Sequence, residues 1–142
     1  MATRSYAAGV ELGPLRKALT QAQIADFEAS SATMMERELL RNIHNDPDLA
    51  LESGLTRPIA SGMMSVSFLN QLLIGEFGDG WTHGGRLAVS FIRSLHAGDE
   101  AVARATVTSV ESGAQGTQLE LEIWCENRAG DRVTTGTAAL RL

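Results

Sequence analysis

Two hydrophobic rhythms divide the chain. Between Pro58 and Gly78 apolar residues recur at Val66, Leu69, Leu72 and Leu73, with Met63 a turn earlier. That is the i, i+3, i+6, i+7 spacing of a helix with a buried face. Few polar residues interrupt the stretch, so most of its circumference has to be covered by protein. Pro58 and Gly62 punctuate its start, and Gly75 and Gly78 lie at its end. The pattern predicts a central helix over about residues 62–75. After Gly85 the period becomes two and stays so almost to the C-terminus. Leu87, Val89 and Phe91 alternate with Ala88, Ser90 and Ile92. Ala101, Ala103, Ala105 and Val107 form one face of the next run. Leu119, Leu121, Ile123 and Cys125 face opposite to Gln118, Glu120, Glu122 and Glu126. The predicted strands are 86–95, 100–111, 117–127 and 132–141. Polar turns at His96–Asp99, Ser112–Gly116 and Arg128–Asp131 join them as an antiparallel meander. The small side chains of Ala101, Ala103 and Ala105 let the helix come close to the sheet.

The first half of the chain is less regular. Residues 1–9 are small and mixed, which predicts a mobile segment. Val10–Leu19 reads as a short edge strand, or two pieces of one, because Gly13-Pro14 interrupts it and proline suits an edge. Thr20 with Gln23 three residues on has the form of a capping box, and Ile24 and Phe27 give that helix its buried face. Residues 33–43 read as helical or turn-rich. His44-Asn45-Asp46-Pro47-Asp48 is a turn by composition. Asp48–Ser53 forms one more helical turn closed by Gly54, and Leu55–Ala60 is a loop. Gly80–His83 belongs to a glycine-rich loop.

The 142 residues are the size of one domain, predicted to be a single α+β unit over residues 1–142. A chain this long buries roughly two thirds of its unfolded surface. The 44% apolar and 20% charged content fits a soluble globular protein. The net charge of −5 without a basic block argues against nucleic acid or an anionic membrane as partner. Cys125 is the single cysteine, which excludes an intrachain disulfide and a cysteine-based metal cluster. No signal-peptide core or membrane-length apolar run is present, so a cytoplasmic location is expected.

Three histidines carry the candidate chemistry. His83 and His96 sit in turn-like contexts and are most simply surface residues. They form no His-x-x-x-His pair, and no metal site is expected. His44 lies where a helical segment meets a turn, with Asp46 two residues on and Glu36 and Glu38 upstream. A histidine near a carboxylate suits general acid–base work; an ordinary turn residue is the plainer alternative. Gly62 opens the apolar helix. A bare glycine lets a ligand approach the backbone, and helix N-terminal amides stabilise negative charge, so a thioester carbonyl would be polarised there. Close packing of helix on sheet is the other explanation of the glycine. Nucleotide-binding and nucleophile-elbow motifs are absent.

His44-Asn45-Asp46-Pro47-Asp48-Leu49-Ala50, followed by Arg57-Pro58-Ile59-Ala60-Ser61-Gly62-Met63, resembles the MaoC-like dehydratase family of hotdog proteins, which includes (R)-specific enoyl-CoA hydratases. The Gly84–Phe91 strand, the Arg93–Asp99 and Glu126–Asp131 turns and the final Val133–Ala138 stretch resemble that family too, so the similarity runs from about Val10 to the C-terminus. The resemblance implies a hotdog fold, with the sheet wrapped around the helix. It implies a homodimer or an even-numbered assembly, with a heterodimer as an alternative. It further implies hydration or dehydration of an acyl thioester, with coenzyme A or acyl carrier protein as part of the substrate and no separate cofactor.

Carried over by position, His44 matches the family's catalytic histidine and Gly62 the glycine that polarises the thioester carbonyl. Ser61 stands where the family usually has histidine, and Met63 completes the Gly-Met pair. Asn70 falls where hydratases often place a polar residue. The resemblance thus suggests His44, Glu38 and Gly62 as catalytic, and Ser61, Met63 and Asn70 as substrate-binding. One departure is sharp: the catalytic Asp expected five residues before His44 is Leu39. Glu38 is one residue out of register and is the candidate substitute base. The implied activity is therefore that of a lyase with an altered site. Two alternatives stand beside it: a hotdog isomerase or tailoring enzyme using His44, and a non-catalytic thioester-binding module or silent subunit of a heterodimer.

Overall fold

The computed structural model describes residues 4–31 and 41–142. Its elements run β1 (Glu11–Ala18), α1 (Gln21–Ser31), α2 (Pro47–Glu52), α3 (Gly62–Phe77), α4 (Asp79–Gly84), β2 (Arg86–Phe91), β3 (Glu100–Gly113), β4 (Gly116–Glu126) and β5 (Arg132–Arg141). The five strands form one antiparallel sheet in the order β1-β3-β4-β5-β2, and α3 packs on it: the hotdog arrangement. The alternation in β4 acts as its spacing predicts. Leu119, Leu121, Ile123 and Cys125 are all within 1% of full burial, and burying each large aliphatic side chain contributes about 1.5–3 kcal/mol.

The helix α3 bridges two clusters of that core. Leu69 and Leu73 meet Ala103, Ala105, Val107, Leu121 and Ile123. One to two turns earlier, Met64 belongs with Ala101, Cys125, Val133, Leu95 and Ala60. The methyl groups of Ala101, Ala103 and Ala105 lie in this interior, each no more than 1% exposed. The buried stripe differs by one residue from expectation at its start: Met64 is buried and Met63 is 54% exposed. The helix also runs past Gly75 to Phe77, and ends where Gly78 adopts φ +54 and returns its N–H to Ile74 O at 2.8 Å.

The expected meander is corrected in one respect. Only β3, β4 and β5 are sequential neighbours; β2 pairs with β5, not β3. Strand β2 stops at Phe91 rather than residue 95, and the chain then crosses to the other side of the sheet. Leu95, 3% exposed, is buried during that crossing and its carbonyl accepts from Ala60 N at 2.7 Å. Backbone bonds to β5 end with Arg93 N to Val133 O at 3.2 Å, and the buried leucine ties the crossing to the loop before α3.

Other elements follow local rules. Strand β1 is a single edge strand with a register shift between Leu12 and Leu15. Gly13 provides it with φ +92, and Pro14 needs no ladder donor there. The capping box is formed: Thr20 Oγ1 accepts from Gln23 N at 3.1 Å, and Gln23 Oε1 accepts from Thr20 N at 3.0 Å. The expected glycine-rich loop is instead α4, which carries the buried Trp81 on to the core. Residues 4–9, expected to be mobile, are anchored. Arg4 and Tyr6 both bond Glu76 Oε1, at 2.6 and 3.0 Å, and Gly9 N donates to Val107 O at 2.8 Å. Most of the 33–43 segment lies outside the described residues. Among those described, no helix is long and apolar enough to cross a membrane.

Backbone contact between β2 and β5 sets a testable limit. A Cβ added at Gly136 would stand 1.9 Å from Ala88 O, so β2 would have to move away. Gly136→Ala is expected to destabilise the fold by about 1–3 kcal/mol through overpacking, and Leu69→Ala by about 2–5 kcal/mol through a cavity. Urea denaturation of both variants checks this; a Gly136→Ala midpoint equal to wild type would contradict the observed β2–β5 approach.

Candidate functional site

The candidate site is built where three loops meet the start of α3. The turn before α2 is held by its own side chains. Asn42 Oδ1 accepts from His44 N at 2.9 Å, and Asn45 Oδ1 accepts from Asn42 N at 2.9 Å. The His44 carbonyl accepts from Gln21 Nε2 at 2.8 Å, which ties the turn to α1. Asp46 caps α2: its Oδ1 accepts from Asp48 N at 3.0 Å and Leu49 N at 3.1 Å. Its Oδ2 pairs with Arg41 Nε. Both oxygens are therefore engaged away from the His44 ring. The hydrogen bond from Arg41 is the chief cause holding the Asp46 carboxyl below its usual value, with the Leu49 N–H assisting.

His44 is half-buried, and its Nδ1 lies 2.7 Å from Ile59 O. A carbonyl oxygen only accepts, so Nδ1 carries a proton, and in the neutral form of the ring Nε2 is the basic nitrogen. Ile59 also donates its own N–H to Ile43 O at 3.1 Å. The neighbouring residues face the opposite way: Ala60 N donates to Leu95 O, and Pro58 O lies 3.0 Å from Nδ1 of His96. His96, expected to be a plain surface turn residue, is half-buried and bonded into this loop. Its turn-like sequence context carries no sign of that partner 38 positions earlier. His83 is exposed and bonds only Asp79 O one turn back in its own helix, at 3.0 Å.

Two residues on, Ser61 caps α3, its Oγ accepting from Met63 N at 3.3 Å. A cavity of about 340 Å³ opens there, lined among others by Ile59, Ser61, Gly62, Phe91, Arg93 and Thr134. Met63 is at its rim, largely exposed. The Phe91 ring lies against Gly62, where an added Cβ would come within 2.8 Å of it. The glycine thus admits an aromatic wall, consistent with its packing explanation, at the same place where the helix dipole is positive. Ser65, also in the cavity lining, hydrogen-bonds the Cys125 thiol, but burial dominates and pushes that thiol up to about 11. A thiol so protonated is not a nucleophile at neutral pH.

The proposed residues are therefore only partly together. Gly62, Ser61 and Met63 line one cavity, and His44 reaches its wall through Ile59. Asn70 is eight residues along α3, about 12 Å down its axis. There its Oδ1 accepts from Trp81 Nε1 at 2.9 Å, fastening α4 to α3. Glu38 and Leu39 lie outside the described residues.

A family model described as "MaoC like domain" matches residues 14–123. The fold is similar to the (R)-hydratase from A. caviae involved in PHA biosynthesis, with 26% identity, 99% of each chain covered and a TM-score of 0.76. It is also similar to a chain of the ChsH1-ChsH2 complex from Mycobacterium tuberculosis, with 16% identity, 97% of this chain and 99% of that one covered, and a TM-score of 0.76. A third likeness is to the C-terminally truncated HadBC (3R-hydroxyacyl-ACP dehydratase) complex from the same organism, at 15% identity, 97% and 98% coverage and a TM-score of 0.68. No curated protein sequence matches the chain.

Because Asp46 ionised both caps α2 and holds Arg41, its contribution is full at neutral pH. It is lost as pH falls below the unfolded value of 3.8 and through the lower folded one. The stability gap between wild type and Asp46→Ala is expected to narrow from pH 7 to pH 3 in denaturant titrations. A gap independent of pH would show that the carboxylate's charge does not matter.

Proposed function

The chain belongs to the MaoC-like domain family, and from that membership we propose that it is a hydratase or dehydratase of an acyl thioester with an altered active site. In the hydration direction a base takes a proton from water as its oxygen adds to C3 of a trans-2-enoyl thioester. Negative charge then develops on the thioester oxygen, and a proton is delivered to C2. The observation that carries the reading is the His44 Nδ1–H···O=C Ile59 bond. It fixes the ring beside the loop that leads into Gly62 and leaves Nε2 free to take and return a proton. The Gly62 N–H, at the first turn of a 16-residue helix, is the proposed donor to the thioester oxygen. Ser61 and Met63 would contact the acyl portion; Asn70, at the α4 junction, supports α3 rather than touching the reacting atoms. Glu38 remains the proposed substitute base for the position occupied by Leu39. The coenzyme A or carrier-protein arm enters as part of the substrate, without a further cofactor.

A second reading has its own support. The structures that resemble this one include the heteromeric ChsH1-ChsH2 and HadBC complexes, and this chain has Leu39 in place of the family's Asp. In that reading the chain binds thioester or completes a partner whose Asp and His are intact. Either way assembly is proposed: β2 is a sheet edge, and Phe91 and Ile92 at its end are 53% and 55% exposed.

Turnover, thioester binding and light scattering test this. His44→Asn keeps an N–H for Ile59 O but has no base. With an enoyl thioester the protein turns over, it is expected to lower turnover by about 10²-fold or more with little change in thioester affinity. Wild-type turnover in His44→Asn would remove His44 from the reaction, and Glu38→Gln at full rate would remove the substitute base. If thioesters bind without turnover and Gly62→Val abolishes binding, the non-catalytic reading replaces the hydratase. Light scattering is expected to give a dimer or larger even-numbered assembly; a monodisperse monomer at micromolar concentration would contradict it.

A further inference from the structure

We propose that His96 is a positioning residue for His44. The inference rests on His44 being the acid–base group, and its observations are independent of any substrate. Residues Pro58–Ala60 run extended between two loops, and their backbone groups alternate as in a strand. On one side Ile59 bonds twice to the first loop: its N–H to Ile43 O at 3.1 Å, and its carbonyl to His44 Nδ1 at 2.7 Å. On the other side are two bonds to the β2–β3 crossing: Ala60 N to Leu95 O at 2.7 Å, and His96 Nδ1 to Pro58 O at 3.0 Å. Two imidazoles thus grip consecutive carbonyls of one short segment from opposite sides.

Proline offers no N–H, so the backbone hydrogen bonding of Pro58 rests on its carbonyl. Leu95 is buried among Ala60, Met64 and Val133, so the loop carrying His96 is itself packed against the start of α3. Removing the His96 donor leaves the far side of the segment with a single bond, that of Ala60. The Pro58–Ile59 peptide then keeps only the Ile59 N–H bond to Ile43 O. The next peptide, which carries Ile59 O, is anchored on the far side by Ala60 N–H alone and can turn about that bond, so Ile59 O moves with respect to His44. Because that carbonyl is what keeps the proton on Nδ1 of His44, its displacement changes both the tautomer and the aim of the ring. His96 acts through Ile59 and touches no reacting atom.

The experiment is a long-range ¹H–¹⁵N correlation spectrum of the histidine rings of the full chain, at a pH where they are neutral. Wild type is expected to show His44 and His96 both as Nδ1–H tautomers, with His83, bonded to Asp79 O, as an internal reference. His96→Leu is expected to shift His44 toward the Nε2–H tautomer. His96→Asn, whose amide reaches Pro58 O in place of Nδ1, should restore the wild-type pattern. Where a thioester is turned over, His96→Leu should lower kcat by roughly 10- to 100-fold through misplacement, with KM little changed, and His96→Asn should recover most of it. An Nε2–H tautomer for His96 in wild type overturns the proposal without any variant, so a variant that fails to fold does not shelter it. A wild-type His44 signal in folded His96→Leu also overturns it. Failure to find any turnover would count against the hydratase reading alone, because the tautomer measurement stands apart from activity.

Discussion

The row of alanines on β3 is the constraint on which the rest of the molecule depends. Ala101, Ala103 and Ala105 are buried with no more than a methyl group each, so α3 settles close to the sheet instead of being held off by larger side chains. That closeness lets one helix serve both halves of the core, through Met64 at one end and Leu69 and Leu73 further on. It also fixes how far the first turn of α3 projects beyond the sheet. The cavity beside Gly62 exists because that first turn, the end of β2 and Thr134 of β5 stand around a common space. A larger residue in the alanine row would therefore move the candidate site as well as loosen the core, since interiors this dense transmit displacement rather than absorb it.

The loop before α3 converts that fixed helix into a fixed site. Its few hydrogen bonds each contribute only about 0.5–1.5 kcal/mol to stability, far less than the buried leucines. Their value lies in direction. They join the turn of His44, the crossing that carries His96 and the helix that begins at Ser61, three pieces far apart in sequence. Asp46 contributes at one remove: by capping α2 and holding Arg41 it shapes the turn from which His44 projects.

Where sequence patterning was sufficient, it was because the cause was local. The alternation Leu119–Cys125, the α3 stripe from Val66 to Leu73 and the Thr20–Gln23 capping box depend on residues within a turn or a strand of one another, and each forms as its spacing predicts. The strand order was not legible. Nothing in residues 86–91 says that they pair with β5, because that choice depends on contacts far along the chain. The helix α4 was hidden by its brevity: one tryptophan and two glycines in six residues carry no period. Met63 and Met64 are chemically identical neighbours, and only the tilt of the helix on the sheet decides which is buried. The motif around His44 and Gly62 pointed to the loop region where the candidate cavity lies, yet the partners of His96, Asp46 and Asn70 required contacts that no spacing encodes.

The replacement of the family's Asp by Leu39 bears on this geometry in a specific way. A carboxylate beside a histidine does two things: it orients the ring and it supplies a second basic group. In this chain the first task is done by a neutral carbonyl, that of Ile59, and by the turn hydrogen bonds that hold the His44 backbone. Among the described residues the ring's position and tautomer are thus set without a carboxylate. Under the proposed function, what the Leu39 position lacks is a second proton carrier. In the proposed hydration the two protons move at different carbons, one from water adding at C3 and one to C2. A site with a single free Nε2 has to serve both in turn, or recruit another base. The retained machinery and the missing group are thus physically separable. The His44 loop keeps its arrangement without reference to a second base, and under the proposed function the identity of that base is the feature that decides what the chain catalyses.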